Sequence, residues 1–157
     1  MRRSLESLTR GVIISFSLST LDEKLAATLE PGAPPPLQRL ETMRKCKDAG
    51  FLVGVNCIPT LPFITDQEEA LEEIVSAAKQ YGADYILVGG LTLFGNGPAD
   101  SKTLYFKFLE RAYPQFVESY KKLYGPFFMP PKPYLLKLDE RAEKVCKKLG
   151  IRRSIVE

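Results

Sequence analysis

The chain has 157 residues, with 22 Lys or Arg against 19 Asp or Glu, a net charge of +3 and the composition of an ordinary globular domain. Histidine is absent, which excludes Ser-His and Cys-His catalysis, histidine metal ligation and the commonest general base. No run approaches the ~20 apolar residues of a membrane-spanning helix. The three cysteines, Cys46, Cys57 and Cys146, lack metal-ligand spacing and are odd in number, so they read as reduced thiols of a cytoplasmic protein.

The start, Met1-Arg2-Arg3-Ser4, is basic, but the apolar run at 11–18 is short and broken by serines, so no signal peptide is expected. Arg2-Arg3 and Arg152-Arg153 are expected at solvated chain ends. Residues 12–18, 51–58 and 85–93 are near-continuous apolar runs, as in strands covered on both sides. After the first, Asp22 and Glu23 are placed to cap or open a short helix. A helix is expected over 37–49, entered through Pro34-Pro35-Pro36, and another over 67–81. There Thr65 with Glu68, or Asp66 with Glu69, can form a capping box. This order predicts parallel βαβ crossovers. Beyond the turn-rich Phe94-Gly95-Asn96-Gly97-Pro98, helices are expected over 102–113, 114–124 and 136–149, with an extended connector at 125–133. The domain division expected is a βα unit over 1–100 and a helical carboxy-terminal extension over 101–157.

Side chains alternate faces along a strand. Ser15, Ser17 and Ser19 oppose Ile14, Phe16 and Leu18. Leu52, Gly54, Asn56 and Ile58 oppose Phe51, Val53, Val55 and Cys57. Ile86, Val88, Gly90 and Thr92 oppose Leu87, Gly89, Leu91 and Leu93. One face of each strand therefore suits helix packing, and the other, with small and polar members, suits a ligand. Satisfied core hydroxyls are the alternative. Polar residues also gather at the carboxyl ends of the strands, where parallel βα folds bind ligands.

The stretch Ile14-Ser-Phe-Ser-Leu-Ser-Thr-Leu-Asp22, then Leu29-Glu-Pro-Gly-Ala-Pro34 with Arg39-Leu40, is distinctive. So is Gly50-Phe-Leu-Val-Gly-Val-Asn-Cys-Ile-Pro-Thr-Leu-Pro62 with Thr65-Asp66 beyond it. Together they resemble the later strands of radical S-adenosylmethionine proteins related to spore photoproduct lyase, often called DNA repair photolyases. The resemblance covers about 11–93, and Phe108-Leu-Glu-Arg-Ala-Tyr-Pro114 in the tail is similar as well. It implies the fold class of an α/β partial TIM-like barrel, three parallel βα units forming half of a (β/α)6 barrel. In that family a C-x-x-x-C-x-x-C loop holds a four-iron, four-sulfur cluster that cleaves S-adenosylmethionine to a 5′-deoxyadenosyl radical.

That loop has no counterpart here, so the cluster is not supported by this chain and the chain alone is expected to be inactive. Carried over residue by residue, the resemblance implies that Ser17 and Ser19 face bound S-adenosylmethionine. It places Arg39 at the methionyl carboxylate, Asn56 near the ribose, and Gly90, with Gly89, at a strand edge approached by adenine. For Arg39 a solvated helix arginine is the alternative, and for Gly90 a packing role. Partners expected are nucleic acid, an amino-terminal half of the barrel, or a second copy through an exposed sheet edge; no membrane is expected. The competing function is a cluster-free βα binding or assembly module.

Overall fold

The computed structural model describes residues 11–155; Arg2-Arg3 and the basic start lie outside them. Strand β1 is Ile13–Ser17, followed by helices α1, Glu23–Leu29, and α2, Pro36–Asp48. Strand β2, Leu52–Thr60, leads to α3, Glu68–Gln80, and β3, Tyr85–Gly90. Then come α4, Ser101–Ala112, a 3-10 turn at Pro114–Phe116, α5, Val117–Tyr124, and α6, Lys132–Leu149.

Local chemistry sets most of these bounds. Asp22 opens α1 as expected, its carboxylate accepting from Leu25 N at 2.8 Å. Pro36 occupies the first turn of α2, where its missing N–H costs nothing. The expected capping box of α3 does not form. Gln67 is the N-cap, without a side-chain bond. Thr65 Oγ1 instead accepts from Leu61 N at 2.8 Å, and Asp66 accepts from Phe63 N at 2.8 Å. Both side chains close the β2–α3 loop, whose Phe63 adopts φ 64°. The last helix begins earlier than expected, because Pro133 sits in its first turn rather than in an extended connector.

The sheet order is β1-β2-β3 and both pairings are parallel. Its register places Ser15 beside Gly54 and Ser17 beside Asn56; Gly54 is in turn beside Tyr85 and Asn56 beside Leu87. The opposite face carries Val53, Val55, Cys57 and Ile86, all buried. Against it pack Leu40 and Met43 of α2, Leu71, Ile74 and Val75 of α3, and Leu138, Val145 and Cys146 of α6. Each fully buried aliphatic side chain there contributes about 1.5–3 kcal/mol. The final helix is thus built into the core of the βα unit. Beyond it, Arg152 bridges in parallel to Tyr85, and its carbonyl accepts from Ile86 N at 3.0 Å. Arg153, expected to be solvated, is paired with Asp139 and Glu143. This segment occupies the outer edge of β3. The outer edge of β1 pairs with no strand among the described residues.

A second apolar cluster lies beyond the carboxyl ends of the strands. It joins Leu25 of α1, Leu61, Leu91 and Leu93 to Tyr105, Phe108 and Leu109 of α4 and Tyr120 and Tyr124 of α5. Tyr120 donates to Pro62 O at 2.6 Å and Tyr124 to Leu91 O at 2.7 Å, fastening α5 to the loops after β2 and β3. Among the described residues no helix is long and apolar enough to cross a membrane.

Candidate functional site

The face of the sheet opposite the helices carries Ile13, Ser15 and Ser17 of β1, Gly54, Asn56 and Ile58 of β2, and Tyr85 and Leu87 of β3, as alternation and register require. Ser15 Oγ lies 2.6 Å from Tyr85 Oη. Asn56 Oδ1, beside Ser17 in the register, is buried with no hydrogen-bond partner among the described residues. Ser17 and Asn56 are therefore brought together, on the face expected for them.

Arg39 reaches the same strand end from α2, and its guanidinium is engaged within the chain. Nε donates to Pro34 O at 2.8 Å, and Nη1 to Ser17 O at 3.0 Å and Ser17 Oγ at 3.2 Å. Nη2 donates to Glu30 Oε2 at 2.8 Å. With its side chain only 11% exposed, Arg39 is not a solvated helix arginine. It fastens the Leu29-Glu30-Pro31-Gly32 loop to the end of β1. A cavity of about 400 Å³ runs beside this latch, lined by Ser15, Phe16, Ser17, Glu30, Gln38 and Arg39.

The other two candidates fall elsewhere. Ser19 lines a larger cavity of about 560 Å³ beyond the strand ends, together with Thr92 and residues of α1 and α4. Gly90 belongs to the Ile86 and Val88 side of β3, because pairing with Val55 turns Ile86 toward the helices. A Cβ on Gly90 would sit 2.7 Å from Leu135 Cδ2 of α6. Its packing alternative has a concrete partner, and the expected ligand-facing parity of β3 is corrected: Gly89, against Ile58, holds that side.

Sequence reasoning missed the network around Asp66, which is 2% exposed. Its carboxylate accepts from Phe63 N and Gln67 Nε2, and from Tyr134 Oη at 2.7 Å, with Arg141 beside it. Burial, then the bond to Asp66, pushes the Tyr134 phenol above its ordinary range. With both its carboxylate oxygens engaged, Asp66 ties α6 to the β2–α3 loop. Cys57 and Cys146 are buried, and burial pushes both thiols up to about 11. Among the described residues, no three His, Cys, Asp or Glu side chains are grouped to hold a metal.

With this geometry in view, the chain is 32% identical over 139 residues to the uncharacterized protein Rv2578c of Mycobacterium tuberculosis, an alignment covering 87% of this chain and 39% of that protein. It is 42% identical over 78 residues to the uncharacterized protein ORF301 of Acidianus two-tailed virus, covering 48% of this chain and 26% of that one. The chain thus spans about two-fifths of its mycobacterial relative and about a quarter of its viral one. It is similar to part of a longer protein. No family model matches the chain, and no solved structure matches it.

Proposed function

We propose that the chain is the carboxy-terminal part of a radical S-adenosylmethionine protein of the spore photoproduct lyase-like group, supplying half of a (β/α)6 barrel. The observation that carries this is the buried Asn56 Oδ1, unpartnered among the described residues, beside Ser17 on the sheet face that no described helix packs against. An external hydroxyl, such as one on a ribose, satisfies such an acceptor. The edge of β1, which no described strand pairs with, and the greater length of the relatives support a barrel continued by an amino-terminal half.

The fit to S-adenosylmethionine is partial. Asn56 and Ser17 suit it, whereas Arg39 is engaged by Glu30 and Ser17 and has no free fork for a carboxylate. Its part in this reading is to hold the loop after α1. The iron-sulfur cluster does not fit the cysteines of this chain, two of which are buried in the core, so no chemical step is assigned to the chain alone. A nucleic-acid partner would meet residues 101–157, which carry 13 basic against 6 acidic side chains, while residues 1–100 carry 9 against 13.

Calorimetric titration with S-adenosylmethionine tests the reading. Weak binding is expected for the wild type and a loss of roughly tenfold for Asn56→Leu, the worth of one hydrogen bond. No binding at millimolar ligand, or equal binding by the variant, removes the site from this chain.

A second reading, an assembly module, is favoured by the edge of β1, which no described strand pairs with, and by Ile13, 43% exposed on it. Sedimentation should then show a dimer that Ile13→Lys separates. A monomer at all concentrations rejects it.

A further inference from the structure

The cavity of about 560 Å³ beyond the strand ends lies within the size range of small-molecule sites. Its wall is chiefly apolar, with Leu61 and Leu91 from the strand ends and Leu104 and Phe108 from α4. Leu104, Phe108 and Arg111 follow at i, i+4 and i+7, so one face of α4 presents them together. Leu104 is 51% exposed and marks the mouth.

The polar groups on this wall divide into two sets. Most are engaged in holding the fold. Thr20 Oγ1 accepts from Asp22 N, Thr28 donates to Lys24 O, Ser101 accepts from Phe94 N and Tyr105 meets Tyr120. Glu30 is neutralised by Arg39. Arg111 is different. Among the described residues its bond is from Nε to Lys107 O on its own helix, at 3.2 Å, and no carboxylate there pairs with it. Ser19 and Thr92 line the cavity, and their hydroxyls make no hydrogen bond among the described residues. The cavity therefore offers an aliphatic body, one unpaired guanidinium and two small hydroxyls. That set lacks the several donors and acceptors needed to read a nucleobase edge, and it matches an apolar chain ending in a carboxylate, which an arginine fork receives bidentately.

The geometry points to a binding site for an apolar monocarboxylate between α1, α4 and the carboxyl ends of β2 and β3, with Arg111 holding the carboxylate. This assignment does not rest on the S-adenosylmethionine reading, which is carried by Asn56 and Ser17 on the sheet face and survives or fails on Asn56.

Isothermal titration of the full chain with decanoate, decanol and adenosine 5′-monophosphate tests it. Decanoate should bind one to one, at least tenfold tighter than decanol, and the nucleotide should not bind. Arg111→Gln, at an exposed position that leaves the fold intact, should lower decanoate affinity roughly tenfold and leave decanol unchanged. Thr92→Trp should fill the cavity and remove binding of both, with circular dichroism confirming that the variant is folded. Absence of decanoate binding, equal affinity for decanoate and decanol, indifference to Arg111→Gln, or tighter binding of the nucleotide would each overturn the assignment.

Discussion

The ring of Tyr85 lies across Gly54, in the space a side chain at residue 54 would occupy, and its hydroxyl meets Ser15 two strands away at 2.6 Å. Three strands are thereby tied on the face that no described helix covers. Tyr85 is fully buried there, although it is the first residue of its strand.

Gly54→Ala should therefore act as overpacking. The new methyl meets the hydroxyl end of a ring that cannot swing aside without losing Ser15. A cost of about 1–3 kcal/mol is expected, measurable as a lowered urea midpoint with unchanged slope. Tyr85→Phe should cost less, about 0.5–1.5 kcal/mol for one hydrogen bond. The double variant Gly54→Ala/Tyr85→Leu should recover part of the Gly54→Ala loss. A Gly54→Ala protein as stable as the wild type would show that the ring has another place to go.

Arg39 makes a second prediction about stability rather than affinity. Arg39→Ala removes a half-hidden pair with Glu30 and two bonds to Ser17, and should cost about 1.5–3 kcal/mol. Arg39→Lys should recover little, because a single ammonium cannot reach Pro34, Ser17 and Glu30 at once. Hydrogen exchange should report faster opening of residues 29–34 in both variants. If Lys restores full protection, charge rather than fork geometry holds the loop.

The three strands and the helices between them were legible because their patterns are local: apolar runs with alternating parity, proline at a helix entry, aspartate before α1. Where side chains serve a loop or a distant helix instead of the helix they precede, the pattern misled. Thr65 and Asp66 have the spacing of a capping box, yet Thr65 closes the loop at Leu61 and Asp66 accepts from Phe63 and Tyr134. The face of Gly90 was misjudged because parity within β3 is fixed by the pairing of Val55 with Ile86, which no single strand reveals. The latch at Arg39 had a readable signal in Glu30, nine residues upstream of a helix arginine. The larger cavity had none, since α4 enters its wall only through tertiary packing.

The cysteines should divide by accessibility. Cys46 is half-buried on α2, whereas Cys57 and Cys146 are buried with thiols raised to about 11. At pH 8 roughly one in a thousand of the latter is thiolate, the form that reacts. Iodoacetamide should modify Cys46 alone in the native chain and all three after denaturation. Anaerobic incubation with iron and sulfide should likewise yield no stoichiometric cluster. A cluster formed by the native chain would mean that these thiols come together in a state unlike the fold described.

Alkaline pH should unfold the protein through its tyrosines. Tyr105, Tyr120 and Tyr124 sit in one apolar cluster, and burial pushes all three phenols above their ordinary value of 10.0. Tyr120 is further raised by its neighbour Tyr105, at 3.0 Å between hydroxyls. For an acid kept neutral by the fold, the linkage runs one way. Below pH 10 both states are protonated and the contribution of burial is complete. Above it the unfolded chain loses protons that the folded chain retains, so stability falls as pH rises. Each group costs about 1.4 kcal/mol per pH unit, and three together roughly 4 kcal/mol per unit, a large part of an ordinary domain's stability. Phenolate absorbance from these three residues should appear together, in the same step as the loss of helical circular dichroism. Tyr105→Phe should weaken the fold slightly at neutral pH and make its alkaline decline shallower by about a third. Gradual ionisation of all tyrosines near pH 10 with the helical signal intact would show that water reaches the cluster in the folded chain.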